Sequence, residues 1–494
     1  MAPKGIRAKF RLTRPIIQNM LVGFMLFCLP GIYVAITGLG AGGGQPSSLT
    51  VANNVNAILY AIFAVMSLGV GSLLNILTPK ICLMIGAFGY PFYVGGLWFY
   101  DRTGNSALAY AAGVILGFSS AFLWTTASFI SYAYPEEHRK GLYISMQWAI
   151  RSGGATTGAL IAFGSNFHQT SAVGVSTPVY ATYVAIQTCA MFIAFFFIIN
   201  PRKVIRDDGT HLAVFSRPTL ASEGLGVVKV FFDSRYLTLA IPMFCCEMAL
   251  GLASSVNSRC FNLRTRTLNN VSFQAIQFVC PPLLTWILDN KHIKSRRNRG
   301  LIGILVMGAN AIGACCGLLA WLSVNNIDSA DSGFAWDWTD PQFGGLFVVY
   351  TMFGACFSGY QMATEWTLAA TTNDPERLAK IAGMFKFWSS LGMFVSFIMA
   401  AQGVPYYGQT ALQLSCYTIG VGCIIWILFK KVPQTNYFSE ANVIVPTNVE
   451  EIARLDGKIE IGQLQGEQEK QQEEQGTPAK KANAQANQDS IERP

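Results

Sequence analysis

The feature that most constrains this chain is a succession of apolar runs, each about 20 residues long, separated by short polar loops. A helix of about that length crosses a hydrocarbon core about 30 Å thick. Only 13% of the residues are charged and 52% are hydrophobic, whereas a soluble domain carries about 25% charged residues. The runs also lack the alternation of polar and apolar residues that the strands of a membrane barrel show. The sequence therefore predicts an all-α, polytopic membrane protein.

Twelve membrane spans are predicted, six on each side of a long polar connector. Spans one to six are expected at about Ile16–Leu39, Ala52–Leu77, Ile81–Tyr100, Ala107–Ala133, Leu142–Gly164 and Val179–Ile199. Spans seven to twelve are expected at about Tyr236–Ser258, Val271–Leu288, Leu301–Val324, Phe343–Ala370, Leu378–Ala401 and Thr410–Phe429. The chain then divides into a basic N-terminus, a six-helix bundle, a connector, a second six-helix bundle and a tail, at 1–15, 16–199, 200–235, 236–429 and 430–494. The tail is predicted to be largely disordered, because from Glu460 on it has almost no aromatic residues with which to bury a core.

Lysine and arginine are unequally divided between the two sides of the predicted membrane. Alternating spans place 23 of them on the side of the N-terminus and four on the opposite side. We call the first of these the basic side. Because cytosolic loops are enriched in basic residues, both termini are predicted to be cytosolic, in a plasma membrane or an endomembrane that the sequence does not distinguish.

The loop between spans seven and eight departs from this rule, because it carries Arg259, Arg264 and Arg266 on the opposite side. Such a loop either dips into the membrane interface or contacts an anionic group.

The sequence Asn270-Val271-Ser272 makes Asn270 a candidate glycosylation site. The site lies so close to the predicted start of span eight that a glycan has little room.

Four charged residues stand out well inside the predicted spans: Arg151, Glu247, Glu365 and Lys386. A charge at the membrane centre costs about 2.5–3.5 kcal/mol on insertion scales, so it needs a partner, a cavity or a function. Two residues of each sign suggest mutual pairing. A carboxylate facing a cavity would bind a cation or carry a proton, whereas the plain structural interpretation is a static ion pair.

Other polar and aromatic residues leave two interpretations each. Trp124 in span four either stacks on an aromatic substrate or packs in the core, and Gln361 in span ten either meets a substrate or bonds a neighbouring helix. The stretch Glu136-Glu137-His138 is interpreted as a solvated turn.

The sequence contains no metal-ligand spacing among its 12 cysteines, no nucleotide loop and no nucleophile–base set. It therefore predicts no enzyme activity, no metal, no cofactor and no nucleic-acid partner.

Six spans, a connector and six further spans are similar to the two-bundle architecture of the major facilitator superfamily. The junction of spans two and three resembles the signature of that superfamily at Gly71, Asn75 and Lys80, and Ile76 departs from it. In the second half, Asp289 stands at the matching position, ahead of several basic residues. A carboxyl or amide group at a helix end beside basic residues makes a latch that one conformational state closes, so these residues form the predicted latch.

A narrower resemblance is to the Unc-ninety-three-like branch of this superfamily, in particular to its fungal members. It covers about residues 15–430 and is carried by Leu123-Trp124-Thr125, Tyr134-Pro135-Glu136-Glu137, Lys140-Gly141-Leu142-Tyr143-Ile144, Asp337-Trp338-Thr339-Asp340-Pro341, Thr372-Asn373-Asp374-Pro375 and Ala382-Gly383-Met384-Phe385-Lys386. Arg151 stands where the family pattern is expected to be apolar, and the acidic residue expected just before Gln361 is missing.

The resemblance implies a major facilitator fold of twelve helices in two pseudo-symmetric bundles, with spans one, four, seven and ten around a central cavity. Glu247 and Glu365 would then be cavity carboxylates, and with Arg151, Trp124 and Gln361 they form the predicted substrate or proton site. Arg151 is either a handle for the substrate or the partner of one of the two carboxylates.

Two kinds of activity follow from the resemblance. The leading interpretation is alternating-access transport of a small molecule without ATP, with proton coupling through Glu247 or Glu365. The alternative is a membrane protein that regulates or traffics another membrane protein, such as a channel or receptor. The expected partners are the lipid bilayer, a small-molecule substrate and, in the second case, another membrane protein. Neither the substrate nor the direction of transport follows from the sequence.

Overall fold

The computed structural model describes residues 11–31, 33–34, 48–167, 177–213, 219–327, 334–440 and 443–455. Within these ranges the chain is built from helices, and pairing between extended residues is confined to isolated bridges. A helix satisfies its backbone N–H and C=O groups inside one segment, which is why it can cross a lipid core without water.

The helices occur where the apolar runs predict them. In the first half they are Pro15–Leu26 with a π-helical turn at Phe27–Gly31, Ser48–Thr103, Ala107–Ala133, Lys140–Asn166 and Thr177–Phe197. In the second half they are Ala240–Cys245 with Met248–Cys260, Leu263–Leu288, Arg296–Asn325, Phe343–Ala355 with Gln361–Ala370, Pro375–Ala401 and Tyr406–Lys431. Shorter helices at Leu220–Phe231 and Thr447–Leu455 lie outside the spans. The predicted start of span seven, Tyr236, lies in a separate short helix, Ser234–Thr238, ahead of Ala240–Cys245. The predicted end of span one, beyond residue 34, lies outside the described ranges.

Nine helices in the described part of the chain are long and apolar enough to cross a membrane. One of them, Ser48–Thr103, holds predicted spans two and three together. The described part of span one, Pro15–Gly31, is an apolar helix that is too short to count among the nine. Span five, Lys140–Asn166, is not among the nine because Arg151 and several glycine and hydroxyl residues lower its hydropathy.

Spans two and three meet at a kink, where the sequence predicts a short loop. Thr78 has φ 75° and ψ 150°, a conformation outside the helical region, while helical residues continue on both sides. Pro79 follows it directly, and proline disfavours the helical conformation of the residue before it. The two spans therefore turn at a single residue.

The two halves of the protein touch closely where spans two and eleven cross. A Cβ atom on Gly383 would lie 2.5 Å from the backbone oxygen of Ser67, and one on Gly71 would lie 2.8 Å from the backbone oxygen of Ala379. Real Cβ atoms do not approach so closely, so glycine at both positions permits this crossing. Small residues allow membrane helices to approach in the same way in other bundles.

On the opposite side, the arginine-rich loop between spans seven and eight meets an anionic group. The Arg264 guanidinium pairs with the Asp337 carboxylate, its Nε lying 2.9 Å from Oδ1, and it also lies over the Trp338 ring at 4.7 Å. This pairing lowers the pKa of Asp337 well below its usual range. The sequence left two interpretations of this loop open, insertion into the membrane interface or contact with an anionic group. For Arg264 the structure supports contact with an anionic group.

Asn270 lies inside the helix Leu263–Leu288 and only 7% of its surface is exposed. Its side-chain oxygen accepts a hydrogen bond from Gln274 at 3.4 Å. A glycan requires a nitrogen that an enzyme can reach, so this burial argues against modification at Asn270.

Candidate functional site

Three helices around the predicted cavity are interrupted, and the interruptions adjoin the same internal space. Span one turns π-helical over Phe27–Gly31, where Pro30 has no N–H to donate. Span seven breaks at Glu247, and span ten turns π-helical over Cys356–Tyr360. Pro30, Glu247 and Phe357 line one cavity. Interrupted helices of this kind are common at the binding sites of membrane transporters.

A lysine and two carboxylates form a buried charged cluster beside this cavity. Lys386 Nζ lies 3.2 Å from Glu247 Oε1 and 3.9 Å from Glu365 Oε1. The exposed fractions of Glu247, Glu365 and Lys386 are 8%, 4% and 1%. Gln361 Nε2 donates to Glu365 Oε1 at 3.1 Å, so the carboxylate has a second partner on its own helix. The structure therefore places spans seven, ten and eleven around one shared lysine.

Arg151 is buried near this cluster and lies among aromatic rings. Its Cζ lies 4.7 Å from the centroid of the Trp148 ring, 5.4 Å from that of Trp124 and 5.6 Å from that of Phe357. One guanidinium nitrogen donates to Gln277 Oε1 at 3.3 Å, whereas Nε is buried with no hydrogen-bond partner. Within the described ranges, no carboxylate lies within 4 Å of the Arg151 guanidinium, so Lys386 takes the ionic role that the sequence left open to both cations.

Trp124 lies close to both buried cations. Its ring centroid is 5.4 Å from Arg151 Cζ and 4.9 Å from Lys386 Nζ. Its indole N–H donates to the Tyr90 hydroxyl at 3.2 Å, which fixes the orientation of the ring. Cations over an aromatic face are attracted by its quadrupole, so Trp124 stabilises both charges.

Two small cavities adjoin these residues. Cavity one is lined by Tyr33, Tyr60, Arg151 and Glu247 among others, and cavity two by Arg151 and Glu365 among others. The space open to the centres of water molecules is about 40 Å³ in cavity one and about 20 Å³ in cavity two. A single water needs about 10–15 Å³ of such space. The two cavities therefore have room for a few water molecules or for the polar end of a small organic molecule.

On the basic side, the predicted latch residue Asp289 contacts the other half of the protein. Its carboxylate accepts hydrogen bonds from the backbone N–H groups of Gly141 at 3.0 Å and Leu142 at 2.6 Å, at the start of span five. A helix start favours a negative charge because its N–H groups point outward. Burial nevertheless raises the pKa of Asp289 to about 6. The contact therefore joins the two halves through a carboxyl group that titrates near neutral pH.

The first-half latch residue Asn75 also contacts the second half, through a partner that sequence reasoning missed. Its side-chain amide donates to Glu223 Oε2 at 3.0 Å and to the backbone oxygen of Glu376 at 3.3 Å. Glu223 lies in the connector helix Leu220–Phe231 and pairs with Lys380 at 2.9 Å. Lys80 is not part of this set, and its Nζ lies 5.1 Å from the centroid of the Phe195 ring.

Glu137 is a second missed residue. The interpretation as a solvated turn is wrong for its side chain, whereas the neighbouring His138 side chain is 43% exposed. The Glu137 side chain is 11% exposed, and Oε1 lies 3.1 Å from Arg296 and 2.7 Å from the Asn373 amide. Burial acts to raise the pKa of Glu137, but the positive charges of Arg296 and Lys140 outweigh it and hold the pKa below its usual value. Lys140 itself donates to the backbone oxygen of Thr372 at 3.0 Å.

The segment directly after span twelve, residues 432–440, packs across these contacts, and we call it the strap. Asn436 donates through its backbone N–H to Glu137 Oε1 at 2.8 Å and through its side chain to Ala370 O at 3.0 Å. The Glu440 carboxylate accepts from the Asn373 backbone N–H at 2.7 Å. The strap belongs to the predicted tail 430–494 but lies ahead of Glu460, where the predicted disorder begins. The residues from Glu460 on lie outside the described ranges.

The comparisons with known proteins agree with this architecture. The chain matches the sequence model of a family described as "Ion channel regulatory protein UNC-93" over residues 54–277. It is 39% identical to an uncharacterized membrane protein of Schizosaccharomyces pombe, over 79% of this chain and 80% of that protein. It is 30% identical to UNC93-like protein 1 of Arabidopsis thaliana, over 88% of this chain and 94% of that protein.

Solved structures resemble the fold. The crystal structure of a major facilitator superfamily transporter, FucP, in the outward conformation matches with a TM-score of 0.59 at 12% identity, over 84% of this chain and 99% of that chain. A second structure, of the fucose:proton symporter FucP of E. coli, matches with a TM-score of 0.57 at 13% identity, over 83% and 98%. At such identities the similarity concerns the fold alone, and it confirms the predicted major facilitator fold. The chain is therefore an integral multi-pass membrane protein that belongs to the UNC-93 family.

Proposed function

We propose that this protein is a secondary transporter that moves a small molecule by alternating access between its two halves. The observation that carries the proposal is the charged cavity beside which three interrupted helices meet. Each buried charge costs about 2.5–3.5 kcal/mol in a membrane, and a purely structural bundle has no use for four of them around a cavity. Arg151, Trp124 and Gln361 are assigned to the substrate site, together with the carboxylates Glu247 and Glu365.

The contacts on the basic side supply the gate that alternating access requires. Gly71, Asn75 and Asp289 bring the two halves together there, and Lys80 stays a predicted latch residue. The moving units are proposed to be residues 16–199 and 236–429, joined by the connector 200–235. Because basic loops face the cytosol, we assign the basic side, with both termini, to the cytosol. In this conformation the gate on the basic side is closed.

Proton coupling follows from the way two carboxylates share one lysine. Lys386 lies 3.2 Å from Glu247 and 3.9 Å from Glu365. If one carboxylate takes up a proton, the lysine keeps the other as its ionic partner, so protonation leaves no cation unpaired. One structural relative is named a fucose:proton symporter, and we extend the same kind of coupling to this chain.

The test is flux into liposomes that contain the purified full-length chain, under an imposed pH gradient and across a panel of metabolites. We expect pH-driven flux of at least one compound, and its loss in Glu247→Gln or Glu365→Gln at equal protein content. Glu451→Gln, an exposed position in the tail helix, is the matched control and should behave as the parent chain. Normal pH-driven flux in both cavity variants contradicts the coupling, and no flux of any compound contradicts transport.

A second candidate function is regulation or trafficking of another membrane protein, which the description of the matched family as an ion channel regulatory protein favours. The acidic and aromatic loop between spans nine and ten and the tail would then contact the partner. Removing residues 456–494 discriminates, because it leaves the strap and the helix Thr447–Leu455 in place. A transporter should keep its flux after this truncation. A regulator that depends on its tail should lose its partner in co-purification.

A further inference from the structure

We propose that the site binds a small organic anion with a single carboxylate and a flat or apolar body, with the carboxylate on Arg151 in the cavities and the body admitted beside it when the two halves move apart. The inference rests on the proposed transport function and names the class of substrate. It is carried by the geometry around Arg151, which combines a buried guanidinium, aromatic walls and a direct opening into two cavities.

The first step is that Arg151 has unused hydrogen-bonding capacity. A guanidinium has five N–H donors in a planar fork, and the structure gives Arg151 one hydrogen bond, to Gln277. Its Nε is buried without a partner, although the whole residue is only 4% exposed. Among the described residues no carboxylate pairs with it. A planar fork of this kind matches a carboxylate with two parallel bonds, which a neutral amide or a cation cannot supply.

The second step concerns the walls of the site. Rings of Trp124, Trp148 and Phe357 surround the guanidinium within 5.6 Å, and Tyr60 and Tyr33 continue the lining of cavity one. Such walls bury apolar surface, and they exclude a strongly hydrated body such as a sugar phosphate. The body of the ligand is therefore flat or apolar.

The third step is the charge of the site. Arg151 and Lys386 carry two positive charges and Glu247 and Glu365 two negative charges, so the set is neutral in its ionised form. Tyr60, Tyr132 and Cys246 also face these groups. One bound carboxylate brings the sum to −1, and one proton on a cavity carboxylate restores neutrality. A monoanion thus needs one proton, which is the coupling proposed above, whereas a phosphate dianion would need two.

Gln277 provides a variant that tests this assignment without removing the arginine. Gln277 Oε1 already accepts from Arg151 and its side chain is fully buried. Gln277→Glu keeps the shape of the side chain and places a permanent carboxylate on the guanidinium. This internal anion pairs with Arg151, so it competes with a carboxylate ligand.

The experiment measures binding to the full-length chain in lipid nanodiscs, as the ligand-dependent rise of the unfolding temperature. The probes are benzoate and indole-3-acetate, their uncharged counterparts benzamide and indole-3-acetamide, and the cation benzylamine. We expect the two carboxylates to bind and the uncharged and cationic probes to bind at least about ten-fold more weakly. Charge-assisted hydrogen bonds contribute about 1.5–3 kcal/mol, so Arg151→Gln should weaken the carboxylates about 10- to 100-fold. Gln277→Glu should weaken them at least about ten-fold, and the exposed control Lys430→Gln should change nothing.

The proposal is overturned if neither carboxylate binds, if the amides bind equally well, or if folded Gln277→Glu binds carboxylates as the parent chain does. The last variant keeps the test valid even where Arg151→Gln does not fold. Failure of the two proposals can be told apart. Carboxylate binding without flux of any compound in liposomes overturns transport and keeps the site, whereas flux that neither Arg151→Gln nor Gln277→Glu alters overturns the site and keeps transport.

Discussion

Replacing Lys386 by methionine tests the buried charged cluster most directly. Lys386 is the one cation that pairs with Glu247 and Glu365 in the described part of the chain, at 3.2 and 3.9 Å. Methionine preserves the length and apolar stem of the side chain but removes the charge. Removing one partner of a buried ion pair costs about 3–5 kcal/mol, because the remaining charge is left unpaired. Since two carboxylates lose their cation here, we expect the free energy of unfolding to fall by at least about 3 kcal/mol at neutral pH.

A double-mutant cycle then assigns the loss to each carboxylate. Glu247→Gln in the Lys386→Met background removes the unpaired charge, so part of the lost stability should return. The coupling energy of Lys386 should be larger with Glu247, at 3.2 Å, than with Glu365, at 3.9 Å. Reversible unfolding in mixed micelles measures both quantities, with the exposed Lys430→Met as a control expected to stay within about 0.5 kcal/mol of the parent chain. A loss below about 1 kcal/mol for Lys386→Met would refute the reasoning.

Three further predictions concern the basic side and the contact between the halves. Glu137→Gln removes the charge that pairs with Arg296 and that Asn373 and Asn436 bond, so we expect backbone amide exchange at the start of span five, which follows Glu137 closely in the chain, to rise about ten-fold or more, a change worth about 1.4 kcal/mol. Burial raises the pKa of Asp289 from 3.8 to about 6. The protonated Asp289 side chain therefore contributes to the free energy of unfolding below about pH 4, and this contribution is lost as the pH rises through about 6. At 1.36 kcal/mol per pKa unit the loss amounts to about 3 kcal/mol. Asp289→Asn should abolish this pH dependence when unfolding is measured from pH 4 to 7. Gly383→Ala places a Cβ 2.5 Å from a backbone oxygen of span two, and this overpacking should destabilise the protein by about 1–3 kcal/mol.

Each of these predictions has a result that contradicts it. Unchanged amide exchange in Glu137→Gln would mean that the gate does not depend on this carboxylate. A pH slope that persists in Asp289→Asn would assign the titration to another group. For the helix crossing, Gly422→Ala is the matched control, because nothing lies within 4 Å of a Cβ built there. Equal stability of the Gly383 and Gly422 variants would show that spans two and eleven accommodate the added methyl group without a loss of stability.

The sequence predicts most of the fold because the length of an apolar run is a property of one segment. Span four is predicted and found at Ala107–Ala133. Span ten is predicted at Phe343–Ala370, and the helices found there have the same outer limits. The sequence does not reveal the π-helical turn at Cys356–Tyr360 inside span ten, since no proline marks it. The sequence does not reveal the break at Glu247 in span seven either, because its neighbours are cysteine and methionine, which do not mark a helix break.

The polar partners could not be predicted, because they depend on contacts between distant parts of the chain. Glu137 bonds Arg296, Asn373 and Asn436, which lie more than 150 residues away in the sequence. No local pattern encodes such a meeting. Arg151 stood out as a charge in an apolar run, yet the choice between it and Lys386 as the ionic partner of the carboxylates is a matter of a few ångströms in space.

Span ten connects the cavity to the gate through a single turn of helix. Glu365 lines cavity two and lies 3.9 Å from Lys386, and four residues further on the backbone oxygen of Ala369 accepts a hydrogen bond from Lys140 on the basic side. The next backbone oxygen, that of Ala370, accepts from Asn436 of the strap. One α-helical turn spans 3.6 residues and about 5.4 Å, so these groups lie within about one turn of one another. If the proposed protonation of Glu365 shifts span ten, the bonds of Lys140 and of the strap are strained as well, and under the proposed coupling proton uptake and opening of the basic side are expected to occur together.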